Sequence, residues 1–425
     1  MGERTRYCPS AIYDPHDPAY LDEATCRRDL AATFGRCVGC AQCVDYCSVF
    51  PGLFALLDRL ADRDPERMTP AQQDDLVDEC HQCRRCVEAC GGSTEGRSDD
   101  DVVPIDLPRM IARSMAMRVA SGHVRTAHRR ATRTLARNNV LDRLPAGAAG
   151  SRRRRWARAF TGISAARRLP GRSGAAAAGA SAVRSCDSDE ADVAVVRTCL
   201  QRQQPVAALV GLLDVVGVPC REAALSCCGA PALYGGDLDR FGEIASSAVA
   251  ALSANARAGR DIVVTEPACA EVLREYLVHH VDPQQRIDAE VVAAAVCDAV
   301  DYLEPLPVTA RVDATTPTHV VAQRSVPGGA PDATLRLLER AGAHVHPLDR
   351  PVGDAGGWRL RATNDDRVDQ LDRVLIDDAR AALTAHPDAA LVAESSLAAV
   401  AIEERLGRPV EHVLEWLARG GSPKL

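Results

Sequence analysis

Two stretches of the 425-residue chain each contain four cysteines at the same spacing. Residues 37–47 read Cys-Val-Gly-Cys-Ala-Gln-Cys-Val-Asp-Tyr-Cys, and residues 80–90 read Cys-His-Gln-Cys-Arg-Arg-Cys-Val-Glu-Ala-Cys. Both follow the pattern C-x2-C-x2-C-x3-C. Three thiolates two residues apart on a turning loop can reach three irons of one cubic cluster, whereas the fourth, three residues further on, points away. This repeated pattern constrains the N-terminal fold more than any other feature of the chain.

The spacing predicts two 4Fe–4S clusters bound in a crossed arrangement, because the fourth cysteine of such a run ligates the other cluster in two-cluster proteins. The predicted ligands of the first cluster are Cys37, Cys40, Cys43 and Cys90. Those of the second are Cys80, Cys83, Cys86 and Cys47. The alternatives are a pair of zinc knuckles and a disulfide scaffold, but zinc sites usually place two C-x2-C pairs a dozen or more residues apart. Ser48 and Gly91 replace the proline that usually follows the fourth cysteine.

The chain has seventeen cysteines, an odd number, and is too long to need disulfides for stability. This usage indicates thiols that serve metals in a reducing compartment. No apolar segment of the kind that directs secretion follows Met1, and no apolar run approaches the eighteen or so residues of a membrane helix. We therefore expect a cytoplasmic protein, either soluble or peripheral at the inner face of the membrane.

Charge is strongly segregated behind the net value of −7. Residues 109–172 hold seventeen arginines and one acid, Asp142, so they carry +16 and the remainder −23 (−7 minus +16). The basic segment 152–156, followed by Phe160 and Ile163, is amphipathic. It is suited to an anionic membrane surface, to an acidic partner or to the acidic half of the chain itself, and a solvated or internally neutralised face is the alternative. Nucleic acid is not an expected partner, because no recognition motif accompanies the charge.

Apolar periodicity predicts a multidomain α+β protein. Residues 1–120 are predicted to form an N-terminal segment and a helical ferredoxin-like dicluster domain, with helices at 21–34, 51–62, 70–80 and 107–119. Residues 121–190 are predicted to be a basic linker. From residue 191 strands and helices alternate, as in a parallel α/β fold, with strands predicted at 193–196, 218–224, 262–264, 319–322, 344–348 and 390–393. The pattern repeats at an offset of about 124 to 126 residues. We expect two similar lobes, 191–305 and 306–425.

The first predicted lobe contains a second group of cysteines. Cys199 ends a predicted strand, the run Cys227-Cys228-Gly229 lies on a loop, and Cys269 begins a predicted helix. Open α/β folds place their sites at such loop ends. The vicinal pair can reach adjacent irons, and a helix N-terminus stabilises the thiolate of Cys269. We predict a third centre here, iron-sulfur or zinc, and the alternative is a vestigial group of buried thiols.

These motifs carry a resemblance to a known family. Cys199, Cys227-Cys228-Gly229 and the run Glu266-Pro-Ala-Cys269 resemble the cysteine-rich CCG domain of the heterodisulfide reductase superfamily. A tandem ferredoxin domain followed by two such lobes is similar to the iron-sulfur subunits of anaerobic glycerol-3-phosphate dehydrogenase, glycolate oxidase and lactate-utilisation systems. The resemblance implies CCG lobes that hold a further iron-sulfur centre. It also implies electron transfer between a flavoprotein dehydrogenase and a quinone or another acceptor.

The second lobe departs from that family. Residues 351–353, Pro-Val-Gly, stand where a second Cys-Cys-Gly is expected, Ser395 replaces the terminal cysteine, and Ser325 stands near the opening one. No cysteine follows Cys297. We therefore expect a degenerate lobe that has lost its ligands.

Three functions are compatible with the sequence. The first is an iron-sulfur electron-transfer subunit of an oxidoreductase. The second is a thiol–disulfide reductase that acts at Cys227 and Cys228, and the third is a non-catalytic redox sensor. No glycine-rich dinucleotide fingerprint follows a predicted strand, so we expect the flavin to lie on a separate partner protein. The residues indicate no other catalytic group.

Overall fold

Helices form the N-terminal part of the chain, as the apolar spacing predicts. The structure is a computed structural model that describes residues 11–420 except 42, 45–46, 89, 91–104, 138–148, 170–189, 199–202, 309–317, 325–332, 349 and 351. The described helices up to residue 120 are α1 (Glu23–Cys40), α2 (Val49–Leu57), α3 (Pro70–Glu79), α4 (Arg85–Glu88) and α5 (Leu107–Ala120). Short 3-10 turns occur at Ala11–Tyr13, Ala61–Arg63 and Pro65–Arg67. Asp22 caps α1, and Thr69 forms a capping box with Gln72 that fixes the start of α3.

The core of the helical domain lies between α1, α2 and α5. Its most buried side chains are Leu30, Phe34, Phe50, Leu53, Leu57 and Met110. Helix α5 is buried along most of its length, including its arginines. Arg113 compensates its own burial by an ion pair with Asp29 at 2.6 Å. Helix α5 therefore lies at the centre of the domain, and the buried charge of Arg113 on it is compensated by its ion pair.

Two helices occur in the stretch predicted as linker, α6 (Thr126–Leu135) and α7 (Arg152–Thr161). Gly162 ends α7 with φ +71°, and a Cβ at this position would lie 2.3 Å from the carbonyl oxygen of Ala127. The two helices can approach this closely because residue 162 has no side chain. Ile163 then pairs as an antiparallel bridge with Arg361 of the second lobe. The described part of the linker is thus packed on the lobes.

The first lobe is an α/β unit with a four-stranded parallel sheet. Its strands are β1 (Val193–Val196), β2 (Cys220–Ala223), β3 (Asp261–Val264) and β4 (Val296–Asp298), in the order β2-β1-β3-β4. Val193 pairs with both Cys220 and Asp261. The helices are α8 (Gln203–Val215), α9 (Ala230–Leu233), α10 (Leu238–Arg257), α11 (Pro267–Glu271), α12 (Leu277–His280), α13 (Arg286–Ala295) and α14 (Ala299–Leu303). A π-helical turn, Val272–Tyr276, joins α11 to α12, and a 3-10 turn at Pro283–Gln285 precedes α13.

The second lobe repeats the same sheet. Its strands are β5 (Thr318–Gln323), β6 (Ala343–Leu348), β7 (Ala390–Ala393) and β8 (Glu411–His412), in the order β6-β5-β7-β8. Its helices are α15 (Ala333–Arg340), α16 (Asp365–Ala385), α17 (Ser396–Leu406) and α18 (Val413–Ala418), with 3-10 turns at Ala355–Leu360 and Ala362–Asn364. The shared strand order is what an internal duplication would leave.

The predicted α+β class, a helical domain followed by α/β lobes, is confirmed. Most predicted strands and helices lie within a few residues of their observed bounds. The short edge strands β4 and β8 are not among the predicted elements. Among the described helices, none combines the length and the apolar composition needed to span a bilayer.

Candidate metal centres

The first cysteine motif begins on a helix. Cys37 and Cys40 lie in the last turn of α1, which ends when Ala41 adopts a left-handed conformation at φ 56°. Cys43 and Cys47 follow on the turn that leads into α2. The expectation that the first three cysteines share a loop is therefore wrong, because α1 continues through two of them. Cys37 is buried, whereas Cys40 is exposed.

The second motif lies on a tightly turned segment. Cys80 caps the C-terminus of α3, Cys86 lies on α4, and Cys83 lies between two residues with positive φ, Gln82 at 60° and Arg84 at 54°. Side chains disfavour this conformation, so the surrounding structure has to hold it. Gln82 does so in part, since its Nε2 donates to the carbonyl oxygen of Pro108 at 3.2 Å.

The electrostatic neighbours of the thiols form two groups that overlap at Cys43. Burial raises the pKa of Cys37 to about 12, and the nearby thiols that add to the rise are Cys43, Cys90 and Cys40. Burial also raises the pKa of Cys86 well above its usual value, with further contributions from Cys47, Cys83, Cys80 and Cys43. Four thiolates at one place repel one another, and bound iron would offset that repulsion. The donor sets therefore fit two 4Fe–4S clusters with crossed ligation, and the ligand assignment stays a prediction.

The described cysteines of the first lobe lie together in its core. Cys227, Cys228 and Cys269 are buried, and the sulfurs of Cys228 and Cys269 are 3.1 Å apart. Gly229 donates its backbone N–H to the sulfur of Cys227 at 3.3 Å. Contacts with Cys227 and Cys269 together with burial raise the pKa of Cys228 well above its usual value. Cys199, the fourth predicted ligand, lies outside the described residues, so these three thiols fit a metal centre whose fourth donor is not described.

A cavity between the two lobes adjoins these thiols. Its lining includes Cys228, Cys269 and Glu266 from the first lobe and Asp354, Gly356 and Ser395 from the second. Burial raises the pKa of Glu266 to about 7, although Ser396 of the second lobe donates its backbone N–H to this carboxylate at 3.1 Å. The second lobe thus forms one wall of the thiol site.

The second-lobe loops in which the family resemblance places cysteines have structural roles. Ser395 caps α17, and its Oγ accepts bonds from the backbone N–H groups of Leu397 and Ala398 at 3.2 and 3.4 Å. Gly356 has φ +56°, and a Cβ there would lie 2.7 Å from the ring of Tyr234 in the first lobe. Ser325 and Pro351 lie outside the described residues. We interpret these loops as contacts that hold the two lobes together.

The second cysteine motif is bound directly to the thiol lobe. The Nε atom of Arg84 lies 2.6 Å from a carboxylate oxygen of Glu271, and its Nη1 donates to the Tyr276 hydroxyl at 3.0 Å. Glu271 belongs to α11, the helix that carries Cys269. On the other side, the ring of His81 lies 5.6 Å from that of Trp358 in the second lobe. No local sequence pattern points to Arg84, Glu271 or Tyr276, because Arg84 lies far from the other two residues in the chain.

Taken together, the fold and these cysteine groups define an iron-sulfur protein with a role in electron transfer. A family model described as a 4Fe-4S dicluster domain matches residues 30–91, and a model of the cysteine-rich CCG domain matches residues 193–274. No curated protein shows a sequence match to the chain. This pair of domains is that of the iron-sulfur subunits related to anaerobic glycerol-3-phosphate dehydrogenase, glycolate oxidase and heterodisulfide reductase. The resemblance inferred from the motifs is thereby confirmed.

Proposed function

We propose that the chain is the electron-transfer subunit of an oxidoreductase. It takes electrons from a flavoprotein dehydrogenase and passes them to a quinone or a similar acceptor. When bound, the two 4Fe–4S clusters supply one-electron carriers. Protein purified anaerobically is therefore expected to contain about eight iron atoms. The absence of a dinucleotide fingerprint from the sequence supports a flavin on a separate protein.

One observation carries this proposal, the contact between Arg84 and Glu271. Arg84 directly follows the predicted ligand Cys83, and Glu271 lies two residues after Cys269 on α11. The side chains of Arg84 and Glu271 are only 12% and 5% exposed. A buried ion pair contributes little net stability but fixes a particular arrangement, because either charge left alone would be costly. We infer that this pair holds the second cysteine motif against the thiol site so that electrons can pass between them.

The two cysteine groups differ in their exposure to solvent, and this difference supports a particular point of entry for electrons. Cys40 of the first group is exposed at the end of α1, whereas Cys83 lies in the segment between the helical domain and the lobes. A redox partner can approach the first group without opening the structure. We propose that electrons enter at the first group and reach the thiol site through the second.

The proposed membrane contact is the exposed face of α7. Trp156 and Phe160 are 70% and 63% exposed, and their ring centroids are 4.8 Å apart. Arg152, Arg153 and Arg155 are exposed on the same helix. Exposed aromatic rings beside arginines suit the headgroup region of an anionic bilayer. We call Trp156, Phe160 and these three arginines the α7 patch, and propose that it contacts the inner face of the membrane.

Part of the remaining basic stretch is neutralised within the chain. The arginines of this stretch that form ion pairs with acids outside it are Arg109, Arg113, Arg118, Arg158, Arg167 and Arg168. Arg154 is 4% exposed, and its Nη2 donates to the carbonyl oxygens of Ser164 and Arg167. The positive charge that this stretch presents to a partner is therefore smaller than the +16 counted from the sequence.

A second candidate function is thiol–disulfide chemistry at the first lobe. The separation of 3.1 Å between the sulfurs of Cys228 and Cys269 favours it. In that reaction Cys228 and Cys269 would form a disulfide and pass two electrons and two protons to a disulfide substrate, which would leave as two thiols. The proposed 4Fe–4S clusters would then supply the two electrons that, with two protons, restore the thiols. The two candidate functions differ in the role of Cys228. Electron transfer needs Cys228 only as a metal ligand, whereas thiol–disulfide chemistry needs it as a reacting thiol.

The experiment that tests the relay is an Arg84→Gln substitution. Protein with intact clusters is reduced anaerobically, and its reoxidation by a soluble quinone is followed by stopped-flow absorbance. We expect iron content to be unchanged and reoxidation to be several-fold slower, because the second motif is no longer held against α11. Arg28→Gln removes the same charge from the exposed face of α1 and serves as the control. Equal reoxidation rates in the Arg84→Gln and Arg28→Gln variants would contradict the proposed electron transfer through the second motif. Separately, a Cys228→Ala variant that reduces quinone at the full rate would show that Cys228 takes no part in this electron transfer.

A further inference from the structure

Four of the eleven histidines lie at one corner of the second lobe, far from the cysteines in the chain. His319 is on β5, His344 and His346 are on β6, and His386 directly follows α16. Strands β5 and β6 are parallel, with His319 opposite His344 and Val321 opposite His346. Residues two apart on a strand share a face, so the three strand histidines project from one side of the sheet.

That side of the sheet is the one covered by α16. Val321 of β5 packs in the same apolar cluster as Leu375 and Ala379 of α16. The helix ends at Ala385, and His386 caps it by donating its backbone N–H to the carbonyl oxygen of Ala382. The imidazole of His386 is thereby placed over the beginning of β5 and β6.

The imidazole nitrogens converge. Those of His319, His346 and His386 all lie within 4.8 Å of one another, and Nδ1 of His319 is 3.0 Å from Nε2 of His346. Two nitrogens bound to one tetrahedral zinc ion are about 3.3 Å apart, since Zn–N bonds are about 2.0 Å. The ring of His386 lies 4.1 Å from that of His319 and 4.0 Å from that of His346. The three rings are stacked, with interplanar angles of 20–24°, so they have to turn before their nitrogens can point at one ion. The χ2 torsion of histidine is soft and permits this rotation.

We propose that His319, His346 and His386 bind a divalent transition-metal ion of the zinc class, at a site separate from the cysteine centres. Neutral imidazoles favour zinc, copper or nickel, whereas thiolates favour iron-sulfur clusters and other soft sites. His344 is exposed, and its ring lies 5.4 Å from that of His319, so a fourth imidazole lies beside the three.

The surroundings favour a cation. The last carbonyl groups of α16 give its C-terminus a partial negative charge, which attracts positive charge beside His386. A bound ion would connect β5, β6 and the end of α16. It would stabilise the lobe that lacks cysteine ligands, because it binds the folded state only.

The test uses Zn²⁺ as the probe and protein that retains its iron. The protein is incubated anaerobically with Zn²⁺, separated from loosely bound metal by gel filtration, and examined for zinc content and by zinc X-ray absorption. We expect about one zinc ion with nitrogen neighbours at about 2.0–2.1 Å. His346→Gln and His386→Gln, on different elements, should each lose this ion. His123→Gln, which removes an exposed histidine near α6, should retain it.

A Cys227→Ser, Cys228→Ser variant separates this site from the thiols and should keep its zinc. Iron content and circular dichroism report whether each variant folds. Failure to retain zinc, zinc content unaffected by both histidine substitutions, or sulfur neighbours at about 2.3 Å would each overturn the proposal. The outcome does not depend on the electron-transfer function, since none of these histidines contacts the cysteine motifs.

Discussion

At the scale of single residues, His128 shows how the linker is attached to the first lobe. It lies on α6, is buried, and its Nε2 is 3.0 Å from the carbonyl oxygen of Gly235, to which it donates as the neutral ring. Burial lowers the pKa of His128 to about 4, and the nearby charge of Arg361 contributes. Protonation would place an uncompensated charge in this contact.

We therefore predict that acid loosens α6 from the lobe. The unfolded chain binds a proton at His128 near pH 6.5, and the folded chain does so only near pH 4. Between these values the unfolded state holds more protons, so the free energy of unfolding falls as pH decreases, by about 3 kcal/mol over the whole interval. The protection factors of the α6 amides, which correct for the intrinsic pH dependence of hydrogen exchange, should fall between pH 7 and 5.5. His128→Gln keeps an amide donor that does not titrate, and identical pH responses of this variant and the parent would contradict the prediction.

Single residues also show what the sequence could not reveal. The spacing of the eight motif cysteines was sufficient to predict a dicluster domain, because ligand geometry imposes a local pattern. The pairing of Arg84 with Glu271 has no such pattern, since it depends on how two domains pack. The histidine cluster is an intermediate case. The run His344-Val-His346 on a predicted strand indicates two imidazoles on one face, but His319 and His386 join them only in the folded lobe.

At the scale of elements, the short helix α9 depends on the glycine before it. Gly229 adopts φ +88°, and a Cβ here would lie 2.6 Å from the ring of Phe241 on α10. Its backbone N–H also contacts the sulfur of Cys227. The Cys-Cys-Gly sequence therefore determines both the turn and the position of the thiols relative to α10.

We predict that Gly229→Ala destabilises the first lobe by about 2 kcal/mol or more, because left-handed strain and overpacking act together. The thiols of Cys227 and Cys228 should also react faster with an alkylating reagent. Gly259→Ala is the matched control, since Gly259 has φ +77° but its Cβ would meet nothing within 4 Å. If the two variants unfolded at the same temperature, backbone conformation alone would account for the effect and the contact with Phe241 would be unimportant.

The helices and strands differ in how closely the local sequence predicts their positions. Strands β1, β3 and β7 are apolar runs bounded by polar residues, so the apolar pattern of the sequence predicts their positions closely. Strand β4 follows the alanine-rich helix α13 without a turn residue, so the pattern of residues 291–300 does not separate helix from strand. Similarly, α1 extends past Cys37 because no proline interrupts it and Gly35 and Gly39 are tolerated within it, although the cluster motif favours a loop.

At the scale of the whole molecule, the α7 patch determines how the protein would meet a membrane. Exposed arginines each contribute about 1 kcal/mol to binding an anionic surface, and this attraction is screened over about 8 Å at physiological salt. The aromatic pair adds apolar burial that salt does not weaken.

We therefore predict that the protein co-sediments with phosphatidylglycerol vesicles at low salt and less so as salt rises. Replacing Arg152, Arg153 and Arg155 by glutamine should flatten this salt dependence, whereas Trp156→Ala with Phe160→Ala should weaken binding at every salt concentration. Val215→Ala with Ile287→Ala removes two other exposed apolar side chains and should have no effect. Binding that is equal in all variants would mean that the α7 patch is only a solvated surface.

The unequal exposure of the two cysteine groups has a consequence for survival in air. Cys40 is exposed at the end of α1, while Cys83 and Cys86 are partly buried near the Arg84–Glu271 ion pair between the helical domain and the first lobe. With the proposed clusters bound, dissolved oxygen would reach the cluster at Cys40 first, and its loss would cut the proposed path of incoming electrons. The part of the chain that first meets a donor would then also be the part that first fails under oxidative stress, before the interior is damaged.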